Sequence, residues 1–148
     1  MSTIVGTNIE VTNLKYDSDT TSMIISNTGQ VTIQGEGTAT TNLQQGLIKC
    51  FMDLNGTGTI ALRDSFNISS VADNGTGLYT VTIANDFSSA NYGYAGSAET
   101  SIDGQNGRVV TSVSTQGLAG STKLKGMNLG YSGEDLPHIR VGWWGDLA

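Results

Sequence analysis

Residues 48–54 read Ile48-Lys49-Cys50-Phe51-Met52-Asp53-Leu54, and residues 78–83 read Leu78-Tyr79-Thr80-Val81-Thr82-Ile83. Both segments place an apolar residue at every second position: Cys50, Met52 and Leu54 in the first, and Tyr79, Val81 and Ile83 in the second. A period of two is that of a β-strand with one buried face, whereas a helix would repeat every 3.6 residues. The two segments therefore predict amphipathic strands.

Turn-forming residues separate the strand candidates. Asn55-Gly56-Thr57-Gly58 follows the first segment, and Asn74-Gly75-Thr76-Gly77 precedes the second. Further alternating segments lie at residues 59–63, 91–96, 108–115, 121–129 and 138–144. Short strands with a turn about every ten residues are typical of a sandwich or barrel. We therefore expect an all-β chain whose body is an antiparallel β-sandwich or a jelly-roll-like fold.

The amino-terminal part has its own pattern. Residues 9–14 alternate, and residues 22–26 and 31–33 flank a glycine-containing turn at residues 27–30, which predicts one hairpin. Residues 35–42 contain no large apolar side chain and predict a flexible joint. The expected organisation is an attachment arm over residues 1–36 and a β body over residues 43–148.

The composition excludes several classes of partner. The formal net charge is −6, and the seven basic residues are scattered, so we expect no nucleic-acid binding, which needs a basic face. No apolar run is long enough to insert into a membrane. The hydrophobic fraction of 37% is below the usual globular value of about 45–50%. Such a thin core predicts a protein that is stabilised partly by its neighbours.

No motif for catalysis or metal binding is convincing. Residues 53–64 overlay a twelve-residue calcium loop, but Thr57 at position five is a weak ligand and the flanks are strands, so a β-hairpin is the better interpretation. Cys50 lies on an apolar face and predicts a small buried hydrophobe. No serine lies in a G-x-S-x-G elbow, and His138 opens a strand. We expect no enzyme activity, no cofactor and no metal.

Assembly and glycan binding each have candidate residues. Trp143 and Trp144 are adjacent on a strand and must point to opposite faces, so one should be core and the other exposed or in a subunit contact. The arm can pair with a sheet edge on another subunit or on a particle; its candidate residues are Ile4, Val5, Ile9, Val11 and Leu14. The candidates for a sugar platform are Tyr92, Tyr94 and Tyr131.

The segment from Lys49 to Val81, together with Phe87-Ser88-Ser89-Ala90-Asn91-Tyr92, resembles a β-rich module of fibre and other virion proteins of tailed, often marine, bacteriophages. Residues 11–15 (VTNLK) and 23–32 (MIISNTGQVT) resemble the amino-terminal segments of such proteins. The resemblance covers about the first two thirds of the chain and carries over no catalytic residue.

The resemblance implies a homotrimeric structural component of a virion. It would be a short fibre, a head-decoration protein or a tail-associated protein that is assembled in the host cytoplasm. Its partners would be itself and other capsid or tail proteins. The alternative function is a receptor-binding module of the same fold that binds a host surface polysaccharide.

Overall fold

The computed structural model describes residues 13–15, 21–34, 39–100, 108–113 and 117–148. Within them the chain is nearly all β, with antiparallel strand pairing throughout and a single short helix. It divides into two compact units: unit 1, Met1–Gly46, and unit 2, Leu47–Ala148. The all-β prediction is confirmed. The helix in the described ranges is not long and apolar enough to cross a membrane.

Unit 1 contains one antiparallel sheet. Its described strands, in spatial order, are β1 (Asn13–Lys15), β2 (Thr21–Ile25), β3 (Val31–Gln34) and β4 (Thr40–Asn42). The predicted hairpin is present as β2 and β3, joined by a turn in which Gly29 has a φ of +79° and donates its N–H to the Ser26 carbonyl at 2.9 Å. Glycine adopts this left-handed conformation without a Cβ clash.

The structure differs from the sequence interpretation after β3. Strand β4 lies inside the segment expected to be a flexible joint, and helix α1 (Leu43–Gly46) follows it. Two physical causes explain this. Thr40 and Thr41 are β-branched and suit an edge strand, and the Asn42 side chain caps the helix by accepting N–H bonds from Gln44 and Gln45 at 2.9 and 3.3 Å.

Unit 2 contains two antiparallel sheets. The β5–β12 sheet has the order β6 (Ala61–Phe66), β5 (Ile48–Asn55), β12 (His138–Trp144), β9 (Gly93–Glu99). The β8–β11 sheet has the order β10 (Val109–Ser112), β11 (Ser121–Met127), β8 (Leu78–Ile83), β7 (Ile68–Asp73). Both turns of sequence Asn-Gly-Thr-Gly join neighbouring strands, β5 to β6 and β7 to β8.

One hydrophobic cluster lies between the inward faces of the two sheets. Strands β5, β8 and β12 alternate buried and non-buried side chains, as their sequences predict. The largest buried side chains in the cluster include Trp143, Tyr79, Phe87, Met52 and Leu54. Full burial of one large aliphatic or aromatic side chain contributes about 1.5–3 kcal/mol, so unit 2 has a core of its own.

Asn67 carries the chain from one sheet to the other. It is the single residue between β6 and β7 and has a φ of +58°. Its side chain donates to the carbonyls of Lys49 and Asn85 at 3.2 and 3.1 Å and accepts the Asn85 N–H at 2.7 Å. Asparagine tolerates this conformation better than most residues, and the three bonds hold the corner in place.

Candidate functional site

The proposed arm residues are only partly described. Ile4, Val5, Ile9 and Val11 lie outside the described residues. Leu14 lies in β1, at the register position opposite Met23 of β2. The role of the arm in attachment therefore stays a prediction. The described strands of unit 1 are the part of the arm whose surface can be assigned.

The unit 1 sheet has one apolar face. Met23 pairs with Ile33 and Ile25 pairs with Val31, so these four side chains share a face. The opposite face carries Ile24 and polar residues, namely Thr32 and Asn42. No side chain whose burial is described in residues 23–34 and 39–46 is buried. We call Met23, Ile25, Val31 and Ile33 the unit 1 apolar face.

The two tryptophans lie on opposite faces of β12, as predicted. Trp143 is only 1% exposed and belongs to the unit 2 core. Trp144 is 38% exposed, and its indole ring packs over Gly93 of β9, where a Cβ would collide with it. Only Trp144 is therefore accessible to a partner, because Trp143 is committed to the core.

The three tyrosines do not form one platform. The Tyr92 hydroxyl donates to the carbonyls of Leu118 and Ser121, at the start of β11. Tyr131 follows the other end of β11, has a φ of +61° and is 79% exposed. A strand of this length spans about 20 Å, which separates Tyr131 from Tyr92.

Tyr94 joins the two sheets of unit 2 and also lines, with Tyr92, a cavity of about 320 Å³. Its hydroxyl accepts the Ser112 N–H at 3.0 Å and lies 3.5 Å from the Thr111 hydroxyl. These bonds favour the ionised form and lower the pKa of Tyr94, while they join β9 to β10 of the other sheet.

The outward face of the β5–β12 sheet is the most distinctive surface of unit 2. Antiparallel register places Phe66, Phe51, Gly142 and Ala95 in one row across the four strands. The Phe51 and Phe66 rings stack with their centroids 6.3 Å apart and an interplanar angle of 25°. Both rings remain partly open to solvent. The small residues beside them leave a depression in the sheet surface.

The neighbouring rows carry charge. Asp64, Asp53, Arg140 and Ser97 form the next row across the sheet. Asp53 accepts a bond from Arg140 Nε at 3.4 Å, and its two carboxylate oxygens lie 3.1 and 3.2 Å from His138 Nδ1. Arg140 also pairs with Glu99, and the hydrogen bond to that carboxylate raises the pKa of the guanidinium above its usual range.

A groove of about 560 Å³ follows these rows. Ile48 and Phe51 line its apolar end, and Asp53, Asp64 and Arg140 line its charged end. The floor contains the small residues Ala95, Ser97 and Gly142. We call this feature the outer groove. It places apolar surface next to ordered hydrogen-bonding groups, as small-molecule sites generally do.

Sequence reasoning did not find the outer groove. The period-two pattern that placed Cys50 and Met52 in the core also places Phe51 and Asp53 on the opposite face, and this signal could have indicated the surface. The partners of Asp53 lie 85 and 87 residues away along the chain, so only the strand order reveals them.

The segment over residues 53–64 is a hairpin, as predicted. Asp53 pairs with Asp64 across β5 and β6, and the Asp53 carboxylate is taken up by His138 and Arg140. The ranges that the structure describes contain no group of three His, Cys, Asp or Glu side chains arranged to hold a metal ion.

Cys50 is fully buried, which confirms its interpretation as a core residue. Burial raises the pKa of its thiol to about 12, because the thiolate would lose its hydration. The nucleophilic thiolate is therefore almost unpopulated at neutral pH.

A partly buried polar contact near the two Asn-Gly-Thr-Gly turns was also missed. Asp135 Oδ1 accepts the Gly77 N–H at 2.6 Å and the Tyr79 hydroxyl at 3.0 Å. The same hydroxyl lies 3.3 Å from the Gly56 carbonyl, and Gly56 donates its N–H to the Leu136 carbonyl at 2.8 Å. We call this the Tyr79–Asp135 contact. It links both turns to the loop before β12.

No protein-family model, curated protein or solved structure matches this chain.

Proposed function

We propose that the protein is a non-enzymatic structural component of a bacteriophage virion that assembles as a homotrimer through the unit 1 apolar face. The observation that carries assembly is an amphipathic sheet whose apolar face has no buried side chain. The virion class and the trimeric state follow the resemblance of residues 49–81 and of the amino-terminal segments to phage fibre proteins.

Hydrophobic burial supplies the driving force. Moving an aliphatic side chain from an exposed to a fully buried position contributes about 1.5–3 kcal/mol. Met23, Ile25, Val31 and Ile33 form a contiguous set on short strands, and a small sheet without a core is marginal by itself. Packing against the same face of other copies would bury all four side chains.

The strands of unit 1 carry little charge that would oppose contact between copies. The whole chain has a formal charge of −6, which opposes indiscriminate association. The described strands of unit 1 contain one charged residue, Lys15. Copies that meet through this sheet therefore bring no acidic side chains of the strands together. The two sheets of unit 2 share one core, which supports a β-sandwich as its fold. In the proposed trimer, unit 2 remains exposed to solvent.

Two isoleucines provide a matched test. Ile25 lies on the unit 1 apolar face and is 37% exposed, whereas its neighbour Ile24 lies on the opposite face and is 39% exposed. We expect native mass spectrometry to give about three times the 15.5 kDa chain mass for the wild type and for Ile24→Asp. Ile25→Asp should dissociate, because a carboxylate would be desolvated in the interface.

Two results would contradict this proposal. One is a wild-type chain that stays monomeric at about 10 μM, a concentration at which a specific interface of roughly 8 kcal/mol is populated. The other is equal behaviour of the Ile24→Asp and Ile25→Asp variants, which would place the interface elsewhere on the molecule.

Removal of unit 1 gives a second test. The boundary between Gly46 and Leu47 makes residues 47–148 the chain to express. Since the hydrophobic cluster of unit 2 draws only on residues after the boundary, this chain should melt cooperatively as a monomer and fail to join the virion. If it still forms trimers, the interface belongs to unit 2.

A further inference from the structure

The outer groove has two chemically different ends on one rigid surface. Its floor and both ends are built on adjacent strands of a four-stranded sheet, so backbone hydrogen bonds fix their spacing. At about 560 Å³, it falls within the roughly 300–1,000 Å³ range of small-ligand sites. A ligand that fills it must be apolar on one side and polar on the other.

The charged end selects against charged ligands. Asp53, Asp64 and Glu99 surround Arg140 and His138 on this face, so an anion would meet three carboxylates. A cation would compete with the bonds that Arg140 and His138 already make to Asp53. A hydroxyl group avoids both penalties, because it donates to a carboxylate and accepts from a guanidinium at the same time.

The apolar end suits a saturated ligand ring that presents C–H groups on one face. Phe51 and Phe66 form a continuous aromatic strip, and the electron-rich face of an aromatic ring attracts positively polarised hydrogens. Ile48 and the small residues Ala95 and Gly142 leave room beside the strip. A pyranose has one face of C–H groups and a rim of hydroxyls, which matches both ends.

We propose that the outer groove binds a neutral saccharide. One sugar ring stacks on Phe51, and its hydroxyls bond to Asp64, Asp53 and Arg140. This site is different from the cavity that Tyr92 and Tyr94 line, and Tyr131 lies outside both linings. The outer groove lies in unit 2 and the unit 1 apolar face lies in unit 1, so different variants test saccharide binding and assembly.

The binding test has an internal control, because Trp144 is an exposed reporter and Trp143 is a buried reference. The probes are laminarihexaose, maltohexaose and chitohexaose, each at up to about 10 mM, a concentration that detects millimolar affinity. Hexagalacturonate is the anionic probe. The readout is the pair of indole N–H signals in a ¹H–¹⁵N spectrum of the full chain. Trp144 lies on the outward face and Trp143 is in the core.

We expect at least one neutral hexamer to shift the Trp144 signal and the Gly142 and Ala95 amides, with the Trp143 signal shifting much less. Hexagalacturonate should leave all of these signals in place. The proposal is overturned if none of the three neutral hexamers shifts the Gly142 and Ala95 amides or the Trp144 signal. It is also overturned if hexagalacturonate binds as tightly as a neutral hexamer.

Three variants locate the site. Phe51→Ala and Asp64→Asn should each weaken saccharide binding about tenfold or more, because they remove the stacking surface and a charged acceptor respectively. Tyr131→Ala removes an exposed aromatic side chain elsewhere and should bind as the wild type does. Asp64→Asn keeps the side-chain volume, so it tests the site even if Phe51→Ala disturbs the sheet. Unchanged binding in Asp64→Asn and in a folded Phe51→Ala variant would refute the assignment.

Discussion

Replacement of Tyr79 by phenylalanine tests the Tyr79–Asp135 contact, because it removes only the hydroxyl group that makes the contact. The side chain is fully buried, and its hydroxyl lies 3.0 Å from Asp135 Oδ1 and 3.3 Å from the Gly56 carbonyl. A hydrogen bond to a charged group contributes about 1.5–3 kcal/mol. Asp135 retains the Gly77 N–H in the variant, so we expect a loss of about 2 kcal/mol in the free energy of unfolding.

The same hydroxyl makes this loss depend on pH. Burial of the ring first, and then the bond to Asp135, raise the pKa of Tyr79 well above its usual value of 10.0. Above pH 10 the unfolded chain ionises at this position while the folded protein does not, so the unfolded state binds fewer protons and stability falls. The stabilisation is complete below pH 10, and about 1.4 kcal/mol of it is lost by pH 11.

Urea unfolding of the wild type and of Tyr79→Phe at pH 8 and pH 11 measures both effects. The stability difference should be about 2 kcal/mol at pH 8 and should shrink by about 1.4 kcal/mol at pH 11. Tyr131→Phe is the control: Tyr131 is mostly exposed, so its variant should stay within about 0.5 kcal/mol of the wild type. A Tyr79→Phe protein as stable as that control, or a difference that does not change with pH, would refute the reasoning.

Two further outcomes follow from the packing of unit 2. Gly77→Ala should lower the free energy of unfolding by more than about 3 kcal/mol, because a Cβ at a φ of +69° is strained and would also collide with the Gly126 carbonyl and the Glu134 N–H. Gly58 has a similar φ of +62° but open space around it, so Gly58→Ala should lower it by only about 1–2 kcal/mol. Equal losses in urea unfolding would contradict the packing argument. Iodoacetamide at pH 8 should alkylate Cys50 of the folded protein at less than about 1% of the rate in denaturant, because burial raises the pKa of the thiol to about 12. Mass spectrometry measures the extent of labelling. Rapid labelling of the folded protein would show that the core opens.

Local pattern predicted the elements whose burial alternates. Strand β8 was expected at residues 78–83 and β12 at residues 138–144, and both are found there. The core positions Cys50, Met52 and Leu54 followed from the same period. In these strands one face packs against the hydrophobic cluster and the other does not, so alternate residues are apolar and the strand can be predicted from the local sequence.

The remaining features depend on partners that are distant in sequence. Strand β4 has no apolar residue to indicate burial and exists through its pairing with β3. Asp135 resembles any acidic loop residue until the fold brings Gly77 and Tyr79 to it. The outer groove requires β12 to lie between β5 and β9, which no local signal specifies.

The position of β12 also determines when the protein can fold. This strand is the last along the chain among those described, yet it lies in the interior of its sheet, with Ile139 paired to Leu54 on one side and to Ala98 on the other. On the ribosome, the β5–β6 and β7–β8 hairpins can form early because their contacts are local, but the β5–β12 sheet must wait for residues 138–144 to emerge. A chain released before residue 138 would lack an interior strand and expose two unpaired edges. Interrupted synthesis would therefore yield a polypeptide whose unit 2 is incomplete and whose open strand edges favour aggregation.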